Sequence, residues 1–109
     1  MSKRILIVDD DEAHAEVCAE ALAGKVDKIS MATSGEEGMR QLREGPEFAV
    51  VLTDLVMRDA DGFKVLESAR RRNPSTKVLM LTGHGSREVA VKAMQEGALY
   101  YLEKPVDLE

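Results

Sequence analysis

Short apolar runs alternate with stretches of helical period along the chain. The runs Arg4–Val8, Lys28–Ala32, Phe48–Thr53, Lys77–Leu81 and Leu99–Leu102 are rich in Val, Ile, Leu and Phe and only four to six residues long, a length and composition that predict strands. The middle runs are continuously apolar rather than alternating, as in strands covered on both faces. Between them the period changes. A helix is predicted over Glu12–Ala23, stopping at Gly24; a second, over Gly35–Arg43, opens on Ser34 as cap with Glu36 and Glu37 in its first turn and ends at Gly45-Pro46. A third covers Gly62–Arg72 with Phe63, Leu66 and Ala69 on one face, and a fourth covers Ser86–Glu96 with Val89, Ala90, Ala93 and Met94 inward, ending at Gly97. Strands and helices alternating at this spacing imply parallel strands joined by right-handed crossovers, hence an α/β doubly wound five-stranded parallel sheet.

Composition narrows the class. The chain of 109 residues is read as one domain, 1–109, with 44% hydrophobic and 32% charged residues, the balance of a soluble globular protein. No apolar stretch approaches the ~20 residues of a membrane span. The start, Met1-Ser2-Lys3-Arg4, runs straight into a strand and lacks the apolar core of a signal peptide, so a cytoplasmic location and no membrane partner are expected. A net charge of −5 argues against direct nucleic acid contact. The basic run Arg70-Arg71-Arg72 is read as a solvated helix end complementing the helix dipole. The single cysteine, Cys18, excludes an internal disulfide and a cysteine zinc cluster; at helical spacing among Ala15, Val17, Ala21 and Leu22 it reads as a small core residue.

The chemistry lies at the ends of the strand candidates. Asp9 and Asp10 follow Ile5–Val8, Asp54 follows Val50–Thr53, and Lys104 follows Tyr101–Glu103. In an open parallel sheet the carboxyl ends of the strands share one rim, where ligands bind. Three carboxylates gathered there repel one another, and a divalent cation relieves the repulsion. Plainer readings apply to their neighbours. Asp11 reads as the cap of the first helix, Asp61-Gly62 as turn chemistry before the third, and Thr53 and Thr82 as β-formers. For Thr82 the small residues in Gly83-His84-Gly85 weaken that reading by leaving space beside the hydroxyl.

The runs Ile5-Leu6-Ile7-Val8-Asp9-Asp10-Asp11, Val51-Leu52-Thr53-Asp54-Leu55-Val56-Met57 with Asp61-Gly62, Met80-Leu81-Thr82-Gly83-His84-Gly85 and Tyr101-Leu102-Glu103-Lys104-Pro105, taken together and in order, resemble the receiver domain of two-component response regulators. The resemblance implies a sheet of order 2-1-3-4-5 and a phosphoacceptor at Asp54, loaded from a phosphohistidine of a sensor histidine kinase. It implies Mg²⁺ held by Asp10 and Asp54, by Asp9 through water and by the backbone carbonyl of Val56. Lys104 and Thr82 would contact the phosphoryl oxygens. Pro105 would aim the lysine, and Tyr101 would turn inward with Thr82 to switch the surface of the fourth helix and fifth strand. Tyr100, next in the strand, should face the other way. The implied partners are the kinase and an output domain or downstream protein, with a transcriptional role suggested by the wording of Thr82–Glu96; a homodimer is a further option. Self-phosphorylation and slow autodephosphorylation make such a domain a signalling phosphoacceptor rather than an enzyme. The alternative is a receiver-like docking module that is never phosphorylated.

Several positions depart from the usual pattern. Arg58 stands where the family commonly has proline, and pairing with Asp59 is its expected role. The resemblance implies that Val56 and His84 flank the phosphoryl group; an apolar Val56 would orient no attacking water, so a persistent phosphoryl group is expected. Leu108 and Glu109 read as the start of a fifth helix, which makes the expected domain one truncated before that helix. A dehalogenase-like phosphatase would need its two acids two residues apart after the first strand. A flavodoxin-like carrier would need a Ser/Thr/Gly loop where three aspartates stand.

Overall fold

In the computed structural model, residues 3–83 and 87–103 are described. The elements run β1 (Arg4–Val8), α1 (Glu12–Leu22), β2 (Lys28–Ala32), α2 (Gly35–Glu44), β3 (Val50–Asp54), α3 (Gly62–Arg72), β4 (Lys77–Thr82), α4 (Arg87–Gln95) and β5 (Tyr100–Glu103). All strand pairs are parallel and the order is β2-β1-β3-β4-β5. This is the predicted doubly wound sheet. β3 begins at Val50 rather than Phe48; the Phe48 carbonyl accepts a 2.7 Å hydrogen bond from the Thr76 hydroxyl.

Caps place the helices where the sequence expects them. Asp11 accepts from the His14 amide at the start of α1, Ser34 from Glu37 at α2, and Asp61 from Lys64 at α3, each satisfying an amide the first turn leaves open. Asp61 therefore does cap chemistry.

The pleat divides the core in two. Leu6, Val8, Val51, Val78 and Met80 face α2, α3 and α4, meeting Leu42, Val65, Leu66, Ala69 and Ala93. Ile5, Ile7, Leu52 and Leu81 face the other side and meet Ala15 and Cys18 of α1. Cys18 is thus the small core residue expected, whereas Val17 is 59% exposed. Only residues three or four apart share a helix face, and Ala15, Cys18, Ala19 and Leu22 define the inward one. Met94 is likewise exposed, since Ala93 and Val89 already fill the approach of α4 to the sheet. α2 comes close to β1 because Gly38 has no side chain; a Cβ there would lie 2.7 Å from a Val8 methyl.

The basic end of α3 does more than face solvent. Arg72 donates to the carbonyls of Leu42, Arg43 and Gly45, covering carbonyls at the end of α2 that have no partner within that helix. Tyr100 is exposed and Tyr101 packs against the core, on opposite faces as predicted. No helix of the described residues is long and apolar enough to cross a membrane.

Candidate functional site

Register builds the site. Val8 pairs with Thr53 and with Ala32, so the next residues along β1 and β3, Asp9 and Asp54, emerge side by side at the carboxyl edge. Both follow the alternation of Ile5, Ile7 and Leu52, which puts them on the α1 side of the sheet. Both are buried, at 1% and 3% exposure. Burying ionisable acids together in this way is costly unless something answers their charge.

Backbone bonds hold the edge in shape. The Asp9 amide donates to Ala32 O at 3.0 Å and that of Leu55 to Leu81 O at 2.7 Å. The Thr53 hydroxyl donates to the Asp54 carbonyl at 3.0 Å. Beyond β3 the chain turns through an antiparallel bridge between Val56 and Asp61 and re-enters a helix at Gly62, whose amide donates to Leu55 O at 2.7 Å. The Val56 side chain is 75% exposed beside this turn.

A residue that the sequence reading did not single out joins the acids. His14, in the first turn of α1, brings Nδ1 to 2.5 Å from Asp9 Oδ2, while the Asp11 amide donates to Asp9 Oδ1 at 2.9 Å. Asp9, His14 and Asp54 each offer a ligand atom, and the three atoms lie within 4.8 Å of one another. The sequence places His14 on the first turn after the Asp11 cap, but its contact with Asp9 depends on how α1 lies across β1.

Asp10 faces elsewhere. Its Oδ2 accepts the Arg58 amide at 2.9 Å and lies 3.5 Å from the Arg58 guanidinium, which also reaches the Asp10 carbonyl at 3.2 Å. The expected pairing of Arg58 with Asp59 is therefore replaced by a clasp between the loops after β1 and β3. Asp59 is taken by α2 instead: its two oxygens accept the Gly35 and Glu36 amides at 3.0 and 2.9 Å. Open helix N-terminal amides are better partners for a carboxylate than an adjacent, solvated guanidinium.

Those amides hold the Asp59 carboxyl below its ordinary value of 3.8, the Glu36 amide being the larger cause and the Gly35 amide the next. A lowered folded-state pKa stabilises the fold above the unfolded value, and the contribution disappears as pH falls through the folded one. Asp59→Asn is therefore expected to melt below wild type at neutral pH, and the gap between their Tm values should close as pH is lowered past 3.8. A gap independent of pH in thermal melts would contradict this.

Thr82 closes β4 and is buried; Gly83 follows it, exposed. The Tyr101 hydroxyl is buried with no hydrogen-bond partner among the described residues. His84, Lys104 and Pro105 lie outside the described residues, as do Leu108 and Glu109.

A doubly wound sheet with neighbouring buried acids at the carboxyl ends of β1 and β3 defines an acidic-pocket α/β domain. Comparison with known proteins makes the class specific: residues 5–109 match the family model of the response regulator receiver domain, and the chain belongs to that family. It is 39% identical over 105 residues to the transcriptional regulatory protein ZraR of Escherichia coli K12, covering 96% of this chain and 24% of ZraR. It is 37% identical over 107 residues to the acid tolerance regulatory protein ActR of Rhizobium meliloti, covering 98% of this chain and 55% of ActR. The chain thus spans about a quarter of one relative's length and just over half of the other's. Among solved structures, a CheY-like receiver domain protein from Methanospirillum hungatei JF-1 superposes with a TM-score of 0.90 at 33% identity, covering 99% of this chain and 86% of that one. A response regulator from Burkholderia pseudomallei, solved with a phosphorylated aspartic acid, a calcium ion and citrate, gives 0.89 at 27% identity, covering 97% of this chain and 62% of that one.

Proposed function

We propose that this receiver takes a phosphoryl group onto Asp54 from a phosphohistidine of a sensor histidine kinase, and in doing so controls an output domain or downstream protein, transcriptional as in its relatives. The observation that carries the proposal is the burial of Asp54 beside Asp9 at the carboxyl edge of the sheet. An Asp54 oxygen attacks phosphorus, the O–P bond forms as the P–N bond breaks, and the histidine nitrogen leaves. Burial keeps bulk water away from the nucleophile, and the backbone bonds on both sides of β3 hold it in line. Thr82 and Lys104 would donate to the transferred oxygens, and Pro105 would orient the lysine. Gly83 and His84 would border the same space, and an apolar Val56 would orient no water there.

The donor set suits a hard divalent cation, since two buried carboxylates with further oxygens nearby match the all-oxygen shell that Mg²⁺ prefers. Asp9, Asp10, Asp54 and the Val56 carbonyl would hold Mg²⁺, which neutralises charge on the phosphoryl group. The Arg58 guanidinium, 3.5 Å from Asp10 Oδ2, competes with a cation for that oxygen. Arg58→Ala should therefore raise Mg²⁺ affinity by about twofold to fivefold and no more, because the guanidinium is 86% exposed and its ion pair screened. Calorimetric titration checks this, and a loss of affinity would mean that Arg58 supports the site.

The test of function is incubation with Mg²⁺ and acetyl phosphate, followed by intact mass. One phosphoryl group should appear only with Mg²⁺ present and should persist for minutes or longer after donor removal. No gain in folded protein would favour the unphosphorylated docking module, and loss of the group within seconds would contradict the role given to Val56.

A further inference from the structure

The imidazole changes the chemistry of a pocket otherwise made of oxygen. We propose that His14 is a cation ligand of the pocket and gives this receiver a preference for borderline transition cations, represented by Co²⁺ and Zn²⁺, that an all-oxygen pocket lacks. The inference rests on reading Asp9 and Asp54 as the cation pocket.

Three observations support it. His14 points Nδ1, the nitrogen on the acid side of the ring, at Asp9 Oδ2, so the atom nearest the carboxylates is itself a potential ligand. Its other nitrogen, Nε2, faces the buried Cys18 sulfur at 4.0 Å, a weak acceptor that tolerates a proton on Nε2, so a cation that displaces the proton shared by Nδ1 and Asp9 Oδ2 meets a free Nδ1 lone pair. The spacing also fits. Ligands about 2.1 Å from one ion stand about 3 to 4 Å apart, and the atoms of Asp9, His14 and Asp54 all lie within 4.8 Å of one another.

Two carboxylates and one imidazole form a three-ligand set with room for a fourth, the arrangement borderline ions favour. Imidazole selects such ions over Mg²⁺, and affinity for a nitrogen-containing site rises along the series toward them. Position makes the effect specific to this histidine. It stands on the first turn of α1, anchored by its own amide to the Asp11 cap, so the ring needs no helix movement to engage a cation.

The test titrates the protein with CoCl₂ and, separately, MgCl₂, for wild type, His14→Ala, His14→Gln and Asp54→Asn, with thermal melts confirming that each is folded. Affinities come from calorimetry, and the visible absorption of bound Co²⁺ reports nitrogen ligation. His14→Ala should weaken Co²⁺ binding by at least about tenfold and shift its spectrum, while Mg²⁺ binding changes by about twofold or less. His14→Gln keeps a hydrogen-bond donor for Asp9 but no imidazole, and should match His14→Ala. Wild-type Co²⁺ affinity in His14→Gln, or equal losses for both ions in His14→Ala, would reduce His14 to a prop for Asp9 and overturn the proposal. Failure of the underlying pocket assignment reads differently: Asp54→Asn would then leave both ions bound as in wild type.

Discussion

Asp54→Asn gains no phosphoryl group from acetyl phosphate under conditions that label the wild type fully. The amide keeps the size and shape of the side chain but offers no anionic oxygen to attack phosphorus, so the reaction loses its nucleophile rather than a supporting contact. The expected loss is at least about 10³-fold, the scale on which removal of a nucleophile acts. The fold should survive, because β3 is held by backbone bonds to β1 and β4 and by the apolar faces of Val51 and Leu52. Intact mass paired with a thermal melt therefore separates lost chemistry from lost structure. Labelling of the variant at the wild-type rate would move the acceptor to another acid of the pocket.

Gly62→Ala should be the most damaging single-methyl change near the site. A Cβ at Gly62 would lie 2.4 Å from the Asp54 carbonyl oxygen and 2.9 Å from Leu55 Cα, both backbone atoms, and 3.0 Å from the Met80 methyl. The backbone has little room to yield, because Gly62 donates to Leu55 O and Asp61 caps the helix that starts there. Overpacking against backbone costs about 3 kcal/mol, equivalent to a fall in Tm on the order of 10–20 °C for a domain of this size. The displaced carbonyl belongs to Asp54, so labelling should slow as well. A melt within about 3 °C of wild type would show that the turn after β3 relaxes freely.

Both predictions concern a site whose parts differ in how visible they are from sequence. Asp9 and Asp54 stand out because each ends an apolar run, and period-two alternation predicts their common face. His14 does not stand out. Nothing in the local pattern distinguishes a first-turn histidine that hydrogen-bonds an acid on the sheet from one left in solvent, and the difference appears only when α1 is laid across β1. Arg58 misleads for a related reason: Asp59 is its neighbour in sequence, yet Asp10 and the amides of α2 are the stronger partners in space.

The sequence alone determined the order and kind of the elements, the caps at Asp11 and Ser34, and the presence of acids at the strand ends. Each is a property of a few consecutive residues, written in hydrophobic period and in the preference of short polar side chains for open amides. Tertiary structure decided the partners: Asp9 with His14, Asp10 with Arg58, Asp59 with α2, and Arg72 with the end of α2. Most of these join separate stretches of chain. Their geometry depends on strand register and helix crossing, which arise from packing the core as a whole and leave no mark in any local window.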